Sequence, residues 1–470
     1  MNASIIRRPF QLLLCGALLC LTATNVWGQA QSLTMREIVR RGLNVEDGPV
    51  KAGNNRRVKV RNDLGETVVA RVHVEIGGRF VLLMPDGSLA SIPVANANTT
   101  TSAFRPASPN SVSSLIKSKL EDGYHVMQGK YHLCIYDCRE SFAKQTIAIL
   151  ETIHDGIYTH FKNKGFPVHP PEVLLPVVIF RTRKQFDKFS DVSDSITGYY
   201  HIINNYVVLY EESEIIIEQG HSGTNEILST VAHEGVHQTL ANIGVQPRLA
   251  VWPVWITEGL AEYFSSTEEK EELTWKGVGQ VNDLRRAALE PYVSSRRNPD
   301  GEFIIRAVKS ERLSTAGYAA AWGLVHLLMD RSPATFLEYV RDLSLRLPMD
   351  NPKPSQGNEV PEAELELFQK YFRKDYASLE SRLLTHLRGM KFEDPLANAA
   401  HYATVLEFRH EGQLYRTAHL SVRSQSGLSW KADEVSRLSA AQQSSVRFYH
   451  RLFPNRREAQ TYAYRWLQGK

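Results

Sequence analysis

The feature that most constrains this chain is the pentapeptide at residues 233–237, which reads His-Glu-Gly-Val-His. On an α-helix His233 and His237 lie one turn apart, so both imidazoles project from the same face. This spacing suits two ligands of a single Zn²⁺ ion. Glu234 is offset around the helix, where it can reach a metal-bound water without binding the metal itself. The pattern predicts a metal-dependent hydrolase with Glu234 as general base, and a helix that carries two histidines by chance is the alternative.

A catalytic zinc site needs a third protein ligand and one open coordination position. After a short connection beyond Gly244, the chain continues with Pro-Val-Trp-Ile-Thr-Glu-Gly-Leu-Ala-Glu-Tyr-Phe at residues 253–264. Glu258, the first acidic residue of this segment, is the candidate third ligand. H-E-x-x-H followed by W-x-x-E-G-L-A-E-Y-F resembles the gluzincin (thermolysin-like) metallopeptidases. The sequence of the two motifs is most similar to a bacterial domain of unknown function (DUF1570-like) found in planctomycete-type exported proteins. The resemblance covers about Gly123 to Gly389.

The resemblance implies a thermolysin-like catalytic domain in which His233, His237 and Glu258 bind Zn²⁺ and Glu234 activates the water. It also implies a role for Glu262, which lies one helical turn after Glu258. In gluzincins an acidic residue at this place hydrogen-bonds to a ligand histidine. A solvated surface carboxylate is the alternative for Glu262.

Two further parts of the site are expected from the same resemblance. Gluzincins use a Tyr or His from a later helix as the transition-state donor, and Tyr318 is the first candidate and His326 the second. Aromatic residues at this spacing also pack in cores, which is the alternative for both. An exposed strand beside the site pairs with an extended peptide in this class. That role falls to the strand that contains Tyr206, Val207, Val208 and Leu209, or to the preceding Gly198–Ile202; a purely structural hairpin is the alternative.

The N-terminus has the features of a signal peptide, residues 1–28. Arg7 and Arg8 precede an apolar run, Leu12–Leu21, that is short for a membrane span. We therefore expect an exported (periplasmic, cell-surface or secreted) protein without an integral membrane segment after signal removal; a membrane anchor is the alternative for the apolar run. A hydrophobic content of 43%, a charged content of 23% and a net charge of +4 indicate a soluble globular protein and give no sign of nucleic-acid binding. The oligomeric state is not readable.

Two cysteines, Cys134 and Cys138, remain after the predicted signal peptide. In an oxidising compartment they could form a disulfide if the chain turns between them, because an extended strand would hold them too far apart. Free buried thiols are the equal alternative.

The order of elements predicts an α+β protein with several parts. Residues 29–95 alternate in a way typical of a small antiparallel β-domain, and residues 96–122 are rich in Asn, Thr, Ser and Pro, which predicts a linker. Residues 123–392 form the predicted gluzincin-like domain, with strand, helix, strand, hairpin and motif helix in that order. Residues 393–470 are predicted to be an accessory region with a hairpin (402–409 and 415–422) and helices at 440–451 and 457–467.

The first functional hypothesis is an exported zinc peptidase that cleaves a peptide or protein substrate by a Glu-activated, zinc-bound water. A non-catalytic zinc-containing binding protein on the same scaffold is the second. The intact Glu234 argues against it, because a structural site needs no base. A zinc hydrolase of a non-peptide amide is the third, since the same water attacks any amide.

Overall fold

The structure is a computed structural model that describes residues 21–22, 42–46, 48–190, 196–211, 223–269, 273–350, 360–410, 412–422, 424–436 and 438–469. The predicted signal peptide lies outside the described residues, apart from a two-residue strand, β1 (Leu21–Thr22). The chain divides into two compact units, one of residues 25–289 and 296–394 and the other of residues 1–24, 290–295 and 395–470. Helices and several separate sheets make it an α+β protein, as predicted.

The first part of the larger unit is a small antiparallel sheet with strand order β6-β5-β4-β3-β7, to which β2 adds by pairing with β4. Side chains of the long strand β4 are alternately more and less exposed, as expected when one face of a sheet packs on a core. The strands are β2 (Lys51–Ala52), β3 (Arg57–Arg61), β4 (Thr67–Ile76), β5 (Arg79–Leu83), β6 (Leu89–Pro93) and β7 (Asn98–Thr99), with a short 3-10 helix at Val94–Asn96.

The linker prediction for residues 96–122 is wrong over helix α1 (Pro109–Lys117). Ser108 caps this helix by accepting a hydrogen bond from the Ser111 N–H, and Pro109 occupies its first turn, both ordinary signals of a helix start. Val112 and Ile116 are buried in the same apolar cluster as the central sheet. The helix is therefore part of the core.

A five-stranded mixed sheet with order β11-β12-β10-β9-β8 carries the predicted catalytic part. Strands β9, β10 and β12 run parallel, and the two edge strands are antiparallel to their neighbours. The strands are β8 (His125–Gln128), β9 (His132–Tyr136), β10 (Leu175–Phe180), β11 (Gly198–His201) and β12 (Tyr206–Tyr210). Helices α2 (Glu140–Asn163), α3 (Arg183–Phe189) and α4 (Gly223–Asn242) accompany it, and α4 packs against α2, β11 and β12.

This topology corrects the prediction for the substrate strand. Strand β12, which contains Tyr206, Val207, Val208 and Leu209, pairs with β10 on one side and with β11 on the other. Its backbone groups are used within the sheet, so it has no free edge to offer a peptide. The alternative strand, β11, lies at the edge of the sheet.

Helix α5 (Val254–Phe264) packs closely against α8 (Thr315–Arg331). A Cβ atom on Gly259 would lie 2.7 Å from the Ala321 carbonyl oxygen, so only glycine permits this approach. The other elements are β13 (Thr267–Glu269), β14 (Leu273–Trp275), α6 (Asp283–Ser295), α7 (Glu302–Lys309), α9 (Pro333–Ser344), α10 (Val360–Phe372) and α11 (Tyr376–Gly389). None of the described helices combines the length and the apolar character needed to cross a membrane.

The C-terminal unit contains a sheet with order β1-β16-β15-β17. The helix predicted at 440–451 is wrong, because α13 (Ala440–Gln443) is short and is followed by strand β17 (Arg447–Phe453). The remaining elements are β15 (His401–His410), β16 (Gln413–Ser421), α12 (Ser424–Ser436) and α14 (Arg456–Leu467).

Cys134 and Cys138 are free, buried thiols in the structure. Cys134 lies within strand β9, and Cys138 lies two residues beyond the end of that strand. Burial raises the pKa of both thiols, which keeps them protonated. Of the two alternatives for this pair, the structure therefore contains the free thiols.

A single apolar cluster joins the N-terminal β-domain to the central sheet. Ile203, at the turn between β11 and β12, packs in it with Leu249 and Met349. The turn is also held by the β-domain backbone, because the Leu89 N–H donates to the Ile203 carbonyl at 2.8 Å. The β-domain contributes Leu43, Val45, Val74, Ile76, Val81 and Leu89.

Candidate metal centre

Helices α4 and α5 bring the three predicted ligands together. His233 and His237 lie one turn apart on α4, and Glu258 projects from α5 towards them. His233 is 0% exposed, His237 5% and Glu258 1%. The two Nε2 atoms are 3.2 Å apart, and Glu258 Oε2 is 3.1 Å from His233 Nε2 and 3.6 Å from His237 Nε2.

These distances fit a tetrahedral metal ion. A zinc ion with bonds of about 2.0–2.1 Å separates its ligand atoms by about 3.3–3.4 Å, close to the sides of the observed triangle. The second oxygen of Glu258, Oε1, is buried and has no hydrogen-bond partner among the described residues. Buried polar atoms without partners are rare, and three lone-pair donors converging on one point are typical of a metal site. Within the described part of the chain, these three residues form the one group of His, Cys, Asp or Glu side chains whose ligand atoms all lie within 4.8 Å of one another.

Glu234 lies next to this triangle and is held by the edge of the central sheet. Its Oε2 accepts a hydrogen bond of 2.8 Å from the Tyr200 N–H of β11. Its Oε1 is buried and has no partner among the described residues. Burial raises the pKa of Glu234, although the charges of His233 and His237 oppose the shift. A carboxylate with a raised pKa and one unoccupied oxygen is suited to accept a proton.

Glu262 is the carboxylate behind the first ligand. Its Oε1 lies 3.3 Å from His233 Nδ1, so this nitrogen can donate to it while Nε2 keeps its lone pair for a metal. Glu262 is 0% exposed, which rules out the solvated surface carboxylate considered from the sequence.

A buried cation holds Glu262 in place. Arg285 Nη2 is 2.6 Å from Glu262 Oε1, and Asn282 Nδ2 donates to Glu262 Oε2 at 2.9 Å. Asn282 Oδ1 also accepts a hydrogen bond from the backbone N–H of Arg285 at the start of α6. Asn282 therefore both caps this helix and orients the Glu262 carboxylate. Burial opposes the charge of Glu262, but Arg285 and His233 outweigh it and lower its pKa to about 2.

The protonation of the metal-free ligands follows the same pattern. Burial alone would lower the pKa of His233, yet its hydrogen bonds to Glu258 and Glu262 raise it to about 10. Burial alone would raise the pKa of Glu258, and the two imidazoles lower it. In the metal-free protein a protonated His233 therefore balances part of the negative charge of Glu258 and Glu262.

Tyr318 lies beside the ligands, as expected of a residue that assists at this site. Its ring centroid is 6.3 Å from that of His233, and the Arg285 guanidinium lies 5.3 Å from the Tyr318 ring centroid. Burial and the nearby charge of Glu258 raise the pKa of Tyr318 well above its ordinary value. The phenol therefore stays protonated and is able to donate a hydrogen bond.

His326 has different surroundings from Tyr318. Its Nδ1 is 2.9 Å from His386 Nε2, and its ring packs on Tyr263 and Trp322. None of these neighbours of His326 is one of the three ligands. The second candidate for the transition-state donor is thus not at the site.

Two contributors to the site were missed from the sequence. Arg285 stands in a polar stretch, where nothing in the local pattern shows that its charge is buried. The Tyr200 N–H is a backbone group, so the identity of residue 200 does not indicate that this N–H contacts Glu234. The Asn282-Asp283 pair at the start of α6 was the available clue to the helix that carries Arg285.

The comparison with known proteins covers the core of this site. Residues 227–350 match the model of a family described as a protein of unknown function (DUF1570). The match contains the ligands, Glu234, Glu262, Arg285 and Tyr318, and it agrees with the DUF1570-like resemblance in the sequence. No curated protein matches the chain.

Proposed function

We propose that this protein is a zinc-dependent peptidase with a gluzincin-like catalytic domain. The observation that carries the proposal is the buried triangle of His233, His237 and Glu258, with the unoccupied oxygen of Glu234 beside it. A structural zinc site needs four protein ligands and no base, whereas three ligands with an adjacent carboxylate suit a catalytic one.

The charges of the site support a divalent ion. Three buried carboxylates, Glu234, Glu258 and Glu262, face one buried guanidinium, Arg285. With neutral imidazoles these fixed charges sum to −2, and a divalent cation brings the sum to zero. The nitrogen and oxygen donors fit zinc, which accepts both at about 2.0–2.2 Å.

The roles of the protein groups follow from their positions. Zinc, when bound, supplies Lewis acidity that lowers the pKa of water and polarises a carbonyl. Glu234 accepts the proton of the attacking water and passes it to the leaving amine. Glu262 keeps His233 in the tautomer that offers Nε2, and Tyr318 is the candidate donor to the developing oxyanion.

Strand β11 is the proposed docking edge for an extended peptide substrate. It is one of the two edge strands of the sheet, and the Tyr200 N–H on it already donates to Glu234. A peptide aligned along β11 would bring its backbone carbonyl close to the general base. Export through the N-terminal segment belongs to the same proposal and is tested by fractionation of cells that express the full chain.

The decisive experiment compares two proteins that start at residue 29. The wild type and Glu234→Gln are assayed for bound zinc and for cleavage of a peptide library. We expect stoichiometric zinc in both and cleavage by the wild type alone. Full zinc occupancy without cleavage by either would reject the peptidase and favour the non-catalytic binding protein. Cleavage of simple amides without cleavage of peptides would favour the amide hydrolase.

A further inference from the structure

The net charge of the chain conceals a separation of charge along it. Residues 395–470 contain eleven Lys and Arg and five Asp and Glu, against 55 and 51 in the whole chain. These residues therefore carry +6, and the 394 residues before them carry −2. A cationic module of this kind attracts anionic partners over a distance of about a Debye length.

The exposed apolar side chains are concentrated in the same part of the chain. Among the described residues ten large apolar side chains are exposed, and seven of them lie between residues 414 and 464. Exposed apolar side chains grouped together indicate a contact surface rather than ordinary surface composition. The seven are Leu414, Tyr415, Leu428, Phe448, Tyr449, Leu452 and Tyr464.

Charged and apolar side chains meet along the edge of strand β17, which lies at one end of its sheet; Arg447, Tyr449 and Arg451 project from one face of the strand, and Phe448 and Leu452 from the other. We call its exposed residues, Arg447, Phe448, Tyr449, Arg451 and Leu452, the β17 edge. Leu452 is 56% exposed and Tyr449 48% exposed. No carboxylate among the described residues forms an ion pair with Arg447 or Arg451; Glu407, opposite Arg447 in the sheet, pairs with Arg416 instead.

Neighbouring side chains hold the β17 edge in position. The Tyr449 ring lies 5.2 Å from the ring of Trp466, and the Arg451 guanidinium lies 5.7 Å from the Tyr462 ring. On the other face, Lys431 Nζ lies 4.2 Å from the centroid of the Phe448 ring. Because these side chains already have fixed neighbours, less conformational entropy is lost on binding.

We propose that the β17 edge binds the surface of a membrane that contains anionic phospholipids. Arg447 and Arg451, which have no carboxylate partner among the described residues, match the headgroup phosphates. Aromatic residues are favoured at the water–lipid interface. Leu452 has no ring to stack on a nucleic-acid base, but its aliphatic side chain can enter the acyl region, so lipid is favoured over nucleic acid. A second copy of the chain would present the same positive charge and be repelled.

The test measures co-sedimentation with vesicles of phosphatidylcholine, with and without 30% phosphatidylglycerol, for proteins that start at residue 29. This start removes the predicted signal peptide, which would itself enter lipid, and with it the two-residue strand β1 at the opposite end of the sheet from β17. We expect binding that requires phosphatidylglycerol and weakens as salt rises. An arginine near an anionic surface strengthens binding about fivefold, so Arg447→Gln/Arg451→Gln should bind about thirtyfold more weakly. Leu452→Ser should weaken binding by removing the inserted side chain.

The matched control is Lys162→Gln/Lys164→Gln, which removes two exposed charges at the end of α2 in the other unit. It should bind vesicles within about twofold of the wild type, since these two lysines do not belong to the β17 edge. Equal binding to neutral vesicles, an unaffected β17-edge variant, or tighter binding to single-stranded DNA than to the vesicles would each overturn the proposal. The measurement needs no bound zinc and no peptidase activity, so it stands or fails apart from the proposed function.

Discussion

The buried ion pair between Glu262 and Arg285 supports a prediction about both stability and metal affinity. In Arg285→Met the Glu262 carboxylate loses the Arg285 guanidinium, which together with His233 supplies its charged hydrogen-bond donors among the described residues. A carboxylate left buried without its cation either stays charged in a poor environment or takes up a proton. At pH 7.5 protonation costs about 4 kcal/mol, because the ordinary pKa of 4.5 lies three units below this pH and each unit is worth about 1.36 kcal/mol.

This cost agrees with the loss of about 3–5 kcal/mol that is usual when one member of a buried pair is removed. Removing both charges, in Arg285→Met/Glu262→Gln, removes the Glu262 carboxylate together with the guanidinium that balances it. The double variant should therefore be more stable than Arg285→Met by about 2–3 kcal/mol. The assay is denaturant unfolding of the metal-free proteins at pH 7.5, analysed as a double-mutant cycle.

Zinc affinity provides a second measurement on the same four proteins. Glu262→Gln weakens the hydrogen bond to His233 and should cost about 10–100-fold in affinity. If Arg285 acts through Glu262, the double variant binds zinc as Glu262→Gln does, without a further loss. Competition with a chromophoric chelator measures these affinities.

Arg286→Met is the control for the loss of a buried arginine. Arg286 is the next residue on α6, is 3% exposed, and donates to the Leu387 carbonyl rather than to Glu262. It should lose stability without changing zinc affinity and without coupling to Glu262→Gln. If the stability losses of Arg285→Met and Glu262→Gln simply add, the reasoning about this pair is refuted.

Three other predictions follow from the structure. Gly259→Ala should lower the free energy of unfolding by about 1–2 kcal/mol and weaken zinc binding, because the added Cβ would meet the Ala321 carbonyl. The control is Gly323→Ala, whose Cβ would meet only the ends of side chains, and it should be neutral or stabilising in thermal unfolding. Burial lowers the pKa of His154 from 6.5 to about 4. The neutral imidazole therefore contributes fully to stability above pH 6.5, and this contribution is lost as the pH falls towards 4. His154→Phe should reduce the stability that is lost between pH 7 and pH 5 by about 2 kcal/mol, and an unchanged pH profile would disprove this. Removal of metal by a chelator should lower the Tm and equimolar Zn²⁺ should restore it, in contrast to a His233→Ala protein, in which neither treatment should matter.

The parts of the candidate site that depend on the spacing of residues along one helix could be predicted from the sequence. His233 and His237 share a face because four residues make about one helical turn, and Glu258 and Glu262 share a face for the same reason. The hairpin of β11 and β12, which precedes the motif helix, was also predicted from the sequence. These features depend on contacts within a few residues.

The features that were missed depend on tertiary contacts. The burial of Arg285 is decided by Glu262, which belongs to another helix. Which of β11 and β12 is the edge strand depends on β10, which pairs with β12. Strand β17 was predicted as helix because Ala440–Gln443 has helical composition, while its pairing with β15 is not visible locally.

The apolar cluster around Ile203 determines which parts of this protein can be inherited or exchanged separately. A recombination point between residues 95 and 123 would separate the β-domain from the hairpin and leave Ile203, Leu249 and Met349 in contact with water. The edge strand that reaches Glu234 would lose the support of its turn at the same time. Any module that replaces the β-domain must therefore supply a matching apolar face, so the two parts are constrained to evolve together.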